Sequence, residues 1–463
     1  MEIFRLSEIL ESVLSEFKKI SEIPRPSKYE GKIAEWLKKR LDELGGEAVI
    51  DDTGNVICEF AATPKMEDKP LFVLQAHMDM VCVSDGSIKY NPLTDSIQLV
   101  REGEYLKARG TSLGADDGIG IAIILYILKS KKLHPPLRII FTVDEETGMS
   151  GACGLSDKYL NDVKYVINID SENVEDVVVG CAGSMRIEFN RKVKWIAPSM
   201  KKGWMLKVKG LKGGHSGEAI GILHANAIKV LAEVLKTINC EIAYINGGRA
   251  MNVIPSEAEA YIATNIENVP QICKEVETAI QEKNDEPYLL IEVEKKELPK
   301  QIINAEEVSK ILKLIESLYD GVYNEDTSAN IGTIKMTEEG VKIDYMPRFH
   351  SSEGQQIMKD AAKRASRENS FNINIGETSQ AWKSEKNRLL ECTLEMARRQ
   401  GRELNVRVIH GGLECSHFIE KNPKLEIVSL GTTNLDIHSP KERLLLSSVE
   451  PTVELILDVL REL

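Results

Sequence analysis

Apolar residues follow two different patterns along the chain, and the first of them covers the amino-terminal part. Mainly apolar runs of strand length occur at 71–74 (LFVL), 138–143 (RIIFTV) and 165–169 (YVINI). Such runs are typical of strands buried on both faces, as in parallel sheets. The apolar segment 118–129, GIGIAIILYILK, is long enough for a helix. This order of strands and helices predicts an α/β domain with a mainly parallel sheet covered by helices.

The second pattern begins near residue 185, where apolar and polar residues alternate with a period of two. The segments MRIEFNRKV at 185–193 and AEAYIAT at 258–264 show it. Amphipathic helices are predicted between such strands at 219–236 and 267–282. Alternation indicates a sheet with one solvated face, and therefore a separate α+β domain.

The first pattern returns after residue 385 with a predicted helix, two strands and a last helix. We therefore predict one α/β domain built from residues 1–184 and 386–463, interrupted by an inserted α+β domain at 185–385. Insertion at a surface loop disturbs a host domain little, because the two chain ends at such a loop lie close together. A division of the insert into subdomains near 185–295 and 305–385 is an alternative to an undivided domain.

The amino-terminal segment spaces its apolar residues as an amphipathic helix does and carries acidic residues from position 2 onward. A secretory signal needs a basic start and a continuous apolar stretch, so we expect a cytoplasmic protein. Ser27 and Glu30 in SKYE have the spacing of a capping box before a second helix that ends at Gly45-Gly46.

Composition narrows the classes of function further. The 463 residues are 42% hydrophobic and 28% charged, as in globular proteins, and the formal net charge is −13. That charge repels phosphate backbones, so a nucleic-acid partner is not expected. No apolar run approaches the roughly 18–20 residues needed to cross a bilayer, so no membrane partner is expected either. The eight cysteines show no short pairing and are predicted to be reduced thiols.

Residues suited to metal binding follow several predicted strands. If the carboxyl ends of parallel strands meet at one edge of the sheet, these residues converge there. Several carboxylates without a compensating Lys or Arg would repel one another, and a divalent cation would remove that conflict. The candidates are His77 and Asp79 in LQAHMDM, Asp116 and Asp117 in LGADDG, Asp144, Glu145 and Glu146 in VDEETG, Asp170 in INIDSE, and His438 in LDIHSP.

The histidines decide which metal these residues suit. Oxygen ligands alone favour magnesium or calcium, whereas His77 and His438 favour zinc, manganese or cobalt. Two imidazoles with at least three carboxylates are enough for two metals about 3.5–4 Å apart that share one carboxylate.

Each motif also has an ordinary structural interpretation. Consecutive acids such as those at 144–146 often form a solvated loop or a helix amino terminus. Gly114, Gly118 and Gly120 could simply shape a turn, and their spacing does not match a dinucleotide-binding loop. The metal-site hypothesis depends on the combination of several such loops, each after an apolar strand.

The combined motifs resemble a known family. The chain is similar to the dinuclear-zinc aminopeptidase and carboxypeptidase superfamily that includes aminoacylases and cytosolic dipeptidases. Within it, the chain looks most like the aminoacyl-histidine (Xaa-His) dipeptidases. The resemblance implies a catalytic α/β domain with an inserted lid domain. The motifs that carry it are LQAHMDMV, GTSLGADDGIGIA, DEETGMSGA, INIDSE, VGCAGS, GGHSG, HGGLEC and HSPKE.

The resemblance also implies a role for each motif residue. One metal would take His77, Asp170 and a shared Asp116, and the other would take Asp116, Glu146 and His438. Asp79 would orient His77 through a hydrogen bond. Glu145 would be the general base for a water held between the metals. The implied cofactors are two divalent ions, zinc first, with manganese or cobalt as alternatives.

The inserted domain would supply residues that bind a small peptide substrate. By the same resemblance, His215 stabilises the oxyanion and Asn252 and Arg348 hold the terminal carboxylate. Glu414 is a candidate for the amino terminus of the substrate. These roles imply a cytoplasmic metal-dependent dipeptidase, plausibly for Xaa-His dipeptides. The alternatives are a tripeptidase or N-acyl amino acid amidohydrolase of the same fold, or a non-catalytic metal-binding scaffold. Monomer and homodimer both fit, because a partner subunit could supply His215.

Overall fold

A computed structural model describes residues 7–217, 219–221, 224–384 and 387–463. The chain forms two compact units. The first contains the chain up to Gly180, together with Trp382–Val408 and Leu413–Leu463, and the second contains Cys181–Ala381 and Ile409–Gly412. The short segment 409–412 thus belongs to the second unit, although the predicted insert ended at residue 385.

The described residues contain helices of widely different length. The α-helices are α1 Glu8–Ser21, α2 Gly31–Glu43, α3 Ala115–Lys129, α4 Ser150–Gly154, α5 Ala227–Ile238, α6 Val269–Lys283, α7 Ala305–Ser317, α8 Ser352–Asn369, α9 Arg388–Arg399, α10 Cys415–Lys421 and α11 Val449–Glu462. Single 3₁₀ turns lie at Asp157–Tyr159, Ala219–Gly221 and Leu446–Ser448. No helix in the described ranges has both the length and the apolar character needed to cross a bilayer.

The strands alternate with these helices along the chain. They are β1 Glu47–Ile50, β2 Val56–Phe60, β3 Phe72–His77, β4 Leu99–Glu102, β5 Tyr105–Ala108, β6 Leu137–Thr142, β7 Tyr165–Asn168, β8 Asp176–Cys181, β9 Gly183–Arg191, β10 Lys202–Lys209, β11 Gly214–His215, β12 Glu241–Gly247, β13 Val253–Ile254, β14 Ala258–Thr264, β15 Leu290–Lys296, β16 Gly321–Val322, β17 Thr327–Thr337, β18 Gly340–Phe349, β19 Asn372–Ser379, β20 Trp382–Lys383, β21 Asn405–Ile409, β22 Glu426–Ser429, β23 Asn434–Leu435 and β24 Arg443–Leu445.

The main sheet of the first unit follows the order β1-β2-β6-β3-β7-β22-β8-β20, with β21 paired to β8. Its central strands β6, β3, β7 and β22 are parallel, and the strands that flank them, β2 and β8, are antiparallel. Strands β3, β6 and β7 are buried along their whole length. The predicted α/β class with a mainly parallel sheet is confirmed.

One face of this sheet is covered by an apolar core. Phe72 and Leu74 of β3 pack in it with the apolar residues 119–128 of helix α3 and with side chains of α1, α9 and α11. Burial of this kind contributes about 25 cal/mol per Å² of apolar surface removed from water. The core leaves the opposite side chains of β3, Gln75 and His77, on the other face of the sheet.

The second unit is built on a separate antiparallel sheet. Its strand order is β15-β10-β14-β12-β17-β18-β9-β19, with β16 paired to β17. Strands from 185–295 and from 305–385 join in this sheet through the pairing of Asn246 with Lys335. Helices α5, α6, α7 and α8 contribute apolar side chains to its core.

Two local predictions about helix starts were wrong. Helix α2 begins at Gly31 without a side-chain cap, because Ser27 donates instead to Asp79 Oδ2 at 2.7 Å and Glu30 accepts from the Asp144 N–H at 2.9 Å. The helix predicted from 219 begins as an α-helix only after Asn226, whose side chain caps it. Residues 222 and 223 of that prediction lie outside the described ranges.

Candidate active site

The carboxyl ends of three adjacent parallel strands place the predicted site residues at one edge of the first unit's sheet. His77 is the last residue of β3 and pairs in register with Thr142, the last residue of β6. Asp170 follows β7 by two residues, and Glu145 and Glu146 follow β6. Convergence of these loops is the result that parallel pairing predicts.

Asp116 lies at the centre of this edge. Its Oδ1 is 2.9 Å from His77 Nε2, and its Oδ2 is 3.0 Å from His438 Nε2. His77 Nε2 is also 3.4 Å from Asp170 Oδ1, and His438 Nε2 is 2.7 Å from Glu146 Oε2. The two oxygens of Asp116 therefore face two different clusters.

These contacts define two groups of potential metal ligands. His77, Asp116 and Asp170 form one group, and Asp116, Glu146 and His438 form the other, with ligand atoms within 4.8 Å of one another in each. The structure thus brings together all five residues predicted as ligands, in the two predicted sets with Asp116 in common.

Asp79 contacts both His77 and the loop after β6. The backbone carbonyl of Asp79 is the hydrogen-bond partner of His77 Nδ1 at 3.2 Å, and Oδ1 of its carboxylate lies 3.4 Å from the same ring nitrogen. The same carboxylate accepts the backbone N–H of Glu145 at 3.0 Å and that of Glu146 at 3.2 Å. Ser27 Oγ donates a further bond to it. Asp79 therefore orients an imidazole and also fixes the loop that carries Glu145.

Burial and crowded charge shift the pKa of every acid and imidazole in this cluster. Burial opposes the charged form of His438, but the carboxylates of Glu146 and Asp116 raise its pKa to about 12. Burial likewise opposes a charged His77, whose pKa is raised well above its usual range by Asp170 and Asp116. The edge of the sheet thus attracts positive charge strongly.

The carboxyls respond in opposite directions. Burial would raise the pKa of Asp116, but its bonds with His438 and His77 lower it. Burial, then the charge of Asp116, raises the pKa of Glu146 to about 7. Burial also raises the pKa of Glu145 well above its usual range, and the charges of Asp170, Glu146 and Glu414 add to this effect.

The donor set fits a pair of divalent cations. Each group combines one imidazole nitrogen with two carboxylates, the mixture that zinc, manganese and cobalt accept. Glu146 Oε1 is buried and has no hydrogen-bond partner among the described residues, so it is an acceptor that a cation would satisfy. Because ligating imidazoles are neutral, a cation would take the place of the protons that His77 and His438 otherwise hold.

The sequence alone did not reveal Arg25 and Glu442, and it named Asp117 as a candidate without its supporting role. Arg25 is buried beside this cluster, so the expectation of carboxylates without a compensating cation was wrong. Asp117 accepts the backbone N–H of His77 at 3.2 Å, and Glu442 accepts backbone N–H groups of the loop before Asp116. Charged residues close to the motifs in the sequence were the available signal for this support. The backbone groups that they contact are distant in sequence, so the contacts could not be predicted.

The glycines of the loop have specific steric roles. A Cβ at Gly114, where φ is +68°, would lie 2.7 Å from Arg25 Nη2, and one at Gly118 would lie 2.6 Å from the same atom. A Cβ at Gly120 would lie 2.2 Å from Asp117 Oδ1 and 2.5 Å from the carbonyl oxygen of Ile169. These three glycines therefore do more than shape a turn. Because they have no side chain, they leave room for Arg25 and Asp117, which support the cluster.

Glu414 lies in the first unit, in a buried polar layer next to the cluster. It accepts hydrogen bonds from Gln75 Nε2 at 2.6 Å and Thr142 Oγ1 at 2.7 Å. Burial raises its pKa to about 8. Its charge also acts on Glu145, so it lies within electrostatic range of the proposed base.

The other predicted substrate residues lie together in the second unit. His215 pairs with Val253 across β11 and β13, and Ser216 donates its backbone N–H to the Asn252 carbonyl at 2.8 Å. Arg348 Nη2 donates to Ser216 Oγ at 3.3 Å. The structure therefore groups His215, Asn252 and Arg348, although they are far apart in sequence.

Two histidines left unassigned by the sequence accompany this second cluster. Arg348 Nη1 donates to the carbonyl of His410 at 3.1 Å, and the rings of His350 and His410 meet edge-on at 4.9 Å between centroids. Burial, then the charge of Arg348, lowers the pKa of His410. The guanidinium is thus held in one orientation beside two imidazoles.

Comparison with known proteins identifies the family. The model of peptidase family M20/M25/M40 matches residues 73–462. The chain belongs to this family. The resemblance to a metallopeptidase superfamily is therefore confirmed, and the protein is a metallopeptidase, so the scaffold interpretation is not favoured.

Individual members of the M20/M25/M40 family match over nearly the whole chain. The cytosol non-specific dipeptidase of Escherichia coli (strain K12) is 31% identical over 469 residues, covering 96% of each chain. The structure of the aminoacylhistidine dipeptidase from Vibrio alginolyticus matches with a TM-score of 0.76 and 30% identity, covering 100% of this chain and 98% of that one. A tripeptidase from Staphylococcus aureus subsp. aureus Mu50 shares the fold, with a TM-score of 0.63 at 19% identity and 98% coverage of both chains.

Proposed function

We propose that this protein is a cytoplasmic, metal-dependent dipeptidase. The observation that carries the proposal is the presence of two three-residue groups of potential ligands that share Asp116. Glu145 directly precedes Glu146, a residue of the second group, in the sequence. The full-length similarity to dipeptidases of Escherichia coli and Vibrio alginolyticus supports both the reaction and the small peptide substrate. The name of the first relative supports the cytoplasmic location.

Two cations, with zinc favoured over manganese and cobalt, would be held by the two ligand groups. Bound there, they would polarise the scissile carbonyl and lower the pKa of water. His77 and His438 offer Nε2, and Asp116 offers one oxygen to each group. Asp79 keeps His77 in the orientation in which Nε2 faces the group.

Glu145 is the proposed general base. Its carboxylate accepts the proton released when a water molecule attacks the peptide carbonyl, and it then passes that proton to the leaving amine nitrogen. Two hydrogen bonds from the loop backbone to Asp79 fix the position from which Glu145 acts. Its neighbour Glu146 faces His438 instead, so the two adjacent acids have separate tasks.

The second unit supplies the proposed substrate-binding residues. Arg348 is suited to a free carboxylate because its guanidinium is a planar, permanently charged fork that Ser216 and the His410 carbonyl already orient. His215 is the proposed oxyanion donor and Asn252 the second carboxylate contact. Recognition of a free carboxylate would confine cleavage to the carboxyl-terminal end of a peptide.

The preferred side chains of the dipeptide are a separate part of the proposal. We favour Xaa-His dipeptides, as the name of the Vibrio relative suggests, while the name of the Escherichia coli relative suggests a broad preference. Comparing kcat/KM for Xaa-His dipeptides, other dipeptides, tripeptides and N-acyl amino acids separates these possibilities from the tripeptidase and amidohydrolase alternatives. Sedimentation of the intact protein decides between monomer and homodimer.

The deciding experiment combines metal removal with replacement of Glu145. Dialysis against a chelator should abolish dipeptide hydrolysis, and Zn²⁺ should restore it. Glu145→Gln should lose at least about 100-fold in kcat, the usual contribution of a general base, while its metal content stays unchanged. Glu175→Gln, an exposed glutamate in another loop, is the matched control and should behave as the wild type. Hydrolysis that continues in fully metal-free protein would exclude the proposal.

A further inference from the structure

Arg25 is a buried arginine whose guanidinium bonds to two separate segments that carry proposed ligands. It is only 1% exposed. Nη1 donates to the carbonyl of Met78 at 3.0 Å and to that of Asp79 at 2.7 Å, directly after His77. Nη2 donates to the carbonyl of Gly114, two residues before Asp116. One side chain thus joins the end of β3 to the loop that carries Asp116.

Glu442 holds the same loop through its backbone N–H groups. It is 2% exposed, and its Oε2 accepts from Leu113 at 2.8 Å and Gly114 at 3.0 Å. Its Oε1 accepts from Ala115 at 2.8 Å, with Asp116 N at 3.5 Å. Four consecutive backbone N–H groups therefore converge on one carboxylate, which comes from a segment more than 300 residues later in the chain.

One carbonyl and four N–H groups at this loop are thus held by side chains of opposite charge. The charge of Glu442 acts on Arg25, so the two side chains are near each other. Gly114 and Gly118 leave room for the guanidinium, because a Cβ at either position would approach Nη2 within 2.7 Å. Burying a charged group is costly unless hydrogen bonds compensate it, and here those bonds go to the backbone around the proposed ligands.

We propose that Arg25 and Glu442 are positioning residues that set the place of Asp116 between the two metal sites. This inference rests on the proposed function, in which Asp116 is a ligand of both metals. Because the loop carries the shared ligand, a shift of the loop weakens both sites at once. Loss of a ligand that belongs to one group, such as Asp170, weakens mainly one site. Weaker binding at both sites together therefore distinguishes loss of a positioning residue from loss of a ligand that belongs to one site.

Glu442→Gln is the main test, because it keeps the size of the side chain but replaces one acceptor oxygen by a donor. The metal-free proteins are titrated with Zn²⁺ against a chromophoric chelator, and their thermal unfolding is measured in parallel. Loss of a residue that supports a metal ligand typically costs 10- to 100-fold in metal affinity. We expect a loss of about that size at both sites in Glu442→Gln, and at one site in Asp170→Asn.

Glu286→Gln is the matched control. Glu286 is 1% exposed and likewise accepts two backbone N–H groups, from Lys212 at 3.0 Å and Ala225 at 3.1 Å, but it lies in the second unit. This variant should lose comparable thermal stability without losing Zn²⁺ affinity. Arg25→Lys is the second test variant, since one ammonium cannot reproduce the fork, and buried Arg138→Lys is its control.

The outcomes separate the two proposals. Wild-type protein that binds fewer than two Zn²⁺ ions or leaves dipeptides intact contradicts the proposed function itself. Wild-type protein that does both, together with Glu442→Gln and Arg25→Lys variants of unchanged Zn²⁺ affinity, overturns the positioning role alone. Failure of both variants to fold, while Glu286→Gln and Arg138→Lys fold, also overturns it, because the pair would then serve the fold rather than the site.

Discussion

Replacing Asp79 by Asn tests whether one carboxylate organises both His77 and the loop of the base. Asp79 Oδ1 and Oδ2 accept the N–H groups of Glu145 and Glu146 at 3.0 and 3.2 Å. An amide has one acceptor oxygen and one NH₂ donor. Whichever way the Asn side chain is oriented, one of the two backbone N–H groups therefore loses its acceptor and meets a donor.

The size of the effect follows from the cost of that lost bond. A buried donor left without an acceptor costs about 1–3 kcal/mol. The loop can restore the lost bond only by shifting, and the shift moves Glu145 away from its position. A cost of about 1–3 kcal/mol then corresponds to a fall of about 5- to 150-fold in kcat/KM, since about 1.36 kcal/mol corresponds to tenfold. The loss should appear mainly in kcat, because Asp79 contacts the loop that carries Glu145, the proposed base.

The assay measures kcat and KM for a dipeptide at saturating Zn²⁺, with the metal content determined for each sample. Asp320→Asn is the control, since Asp320 accepts the Ile331 N–H at 3.0 Å and the Asn226 amide at 2.9 Å in the second unit. Both bonds end on Oδ1, which the amide oxygen of Asn can replace, so this variant should keep its fold and its activity. A fully metal-loaded Asp79→Asn enzyme with kcat within twofold of wild type would refute the reasoning, because the base would then need no support from Asp79.

Other predictions concern steric fit, pH and substrate binding. Gly120→Ala should destabilise the protein by about 1–3 kcal/mol in urea unfolding and reduce activity, because its Cβ would lie 2.2 Å from Asp117 Oδ1. Glu16→Gln should destabilise the protein at neutral pH. Burial would raise the pKa of Glu16, but the side chains of Arg40 and Lys19 outweigh burial and lower it. The ionised carboxylate therefore stabilises the fold above the ordinary glutamate pKa. This stabilisation is lost as the pH falls through the lowered pKa of the folded state. Arg348→Lys should raise KM for a dipeptide about 10-fold or more with a smaller change in kcat, because an ammonium cannot form the same fork with a carboxylate.

Each of these predictions has a control. Gly31→Ala should be neutral or stabilising, because no atom lies within 4 Å of its added Cβ; equal effects of both glycine changes would contradict the steric argument. The stability gap between Glu16→Gln and wild type should close toward pH 3, and a gap independent of pH would exclude the ion pairs as its cause. For Arg348→Lys, an unchanged KM would remove this residue from carboxylate recognition.

The sequence predicted the sheet and its edge well, because both follow from short-range patterns. Mainly apolar runs predicted β3, β6 and β7. Because these strands pair in parallel, the loops that follow them meet at one edge of the sheet. The pairing of metal ligands through Asp116 came from family resemblance. Spacing alone does not show which carboxylate faces both His77 and His438.

The failures concern side chains whose partners lie far along the chain. Ser27 and Glu30 have the local pattern of a helix cap, but Asp79 and Asp144, 52 and 114 positions away, bind them instead. Local propensity cannot reveal such competition, because it depends on the folded sheet. Arg25 shows the same limit, since an arginine in sequence gives no sign that three buried carbonyls need its donors.

The position of β22 has a consequence for the order in which the protein is made. In the sheet β22 lies between β7 and β8, yet it follows the whole second unit in the chain. His77, Asp116 and Asp170 leave the ribosome early, whereas β22 and His438 leave it about 250 residues later. While the second unit is synthesised, the sheet of the nascent first unit therefore lacks β22, and one group of potential ligands lacks His438. Completion of the second group of potential ligands therefore comes late in chain synthesis, and a shortened product without residues beyond 430 would lack its His438.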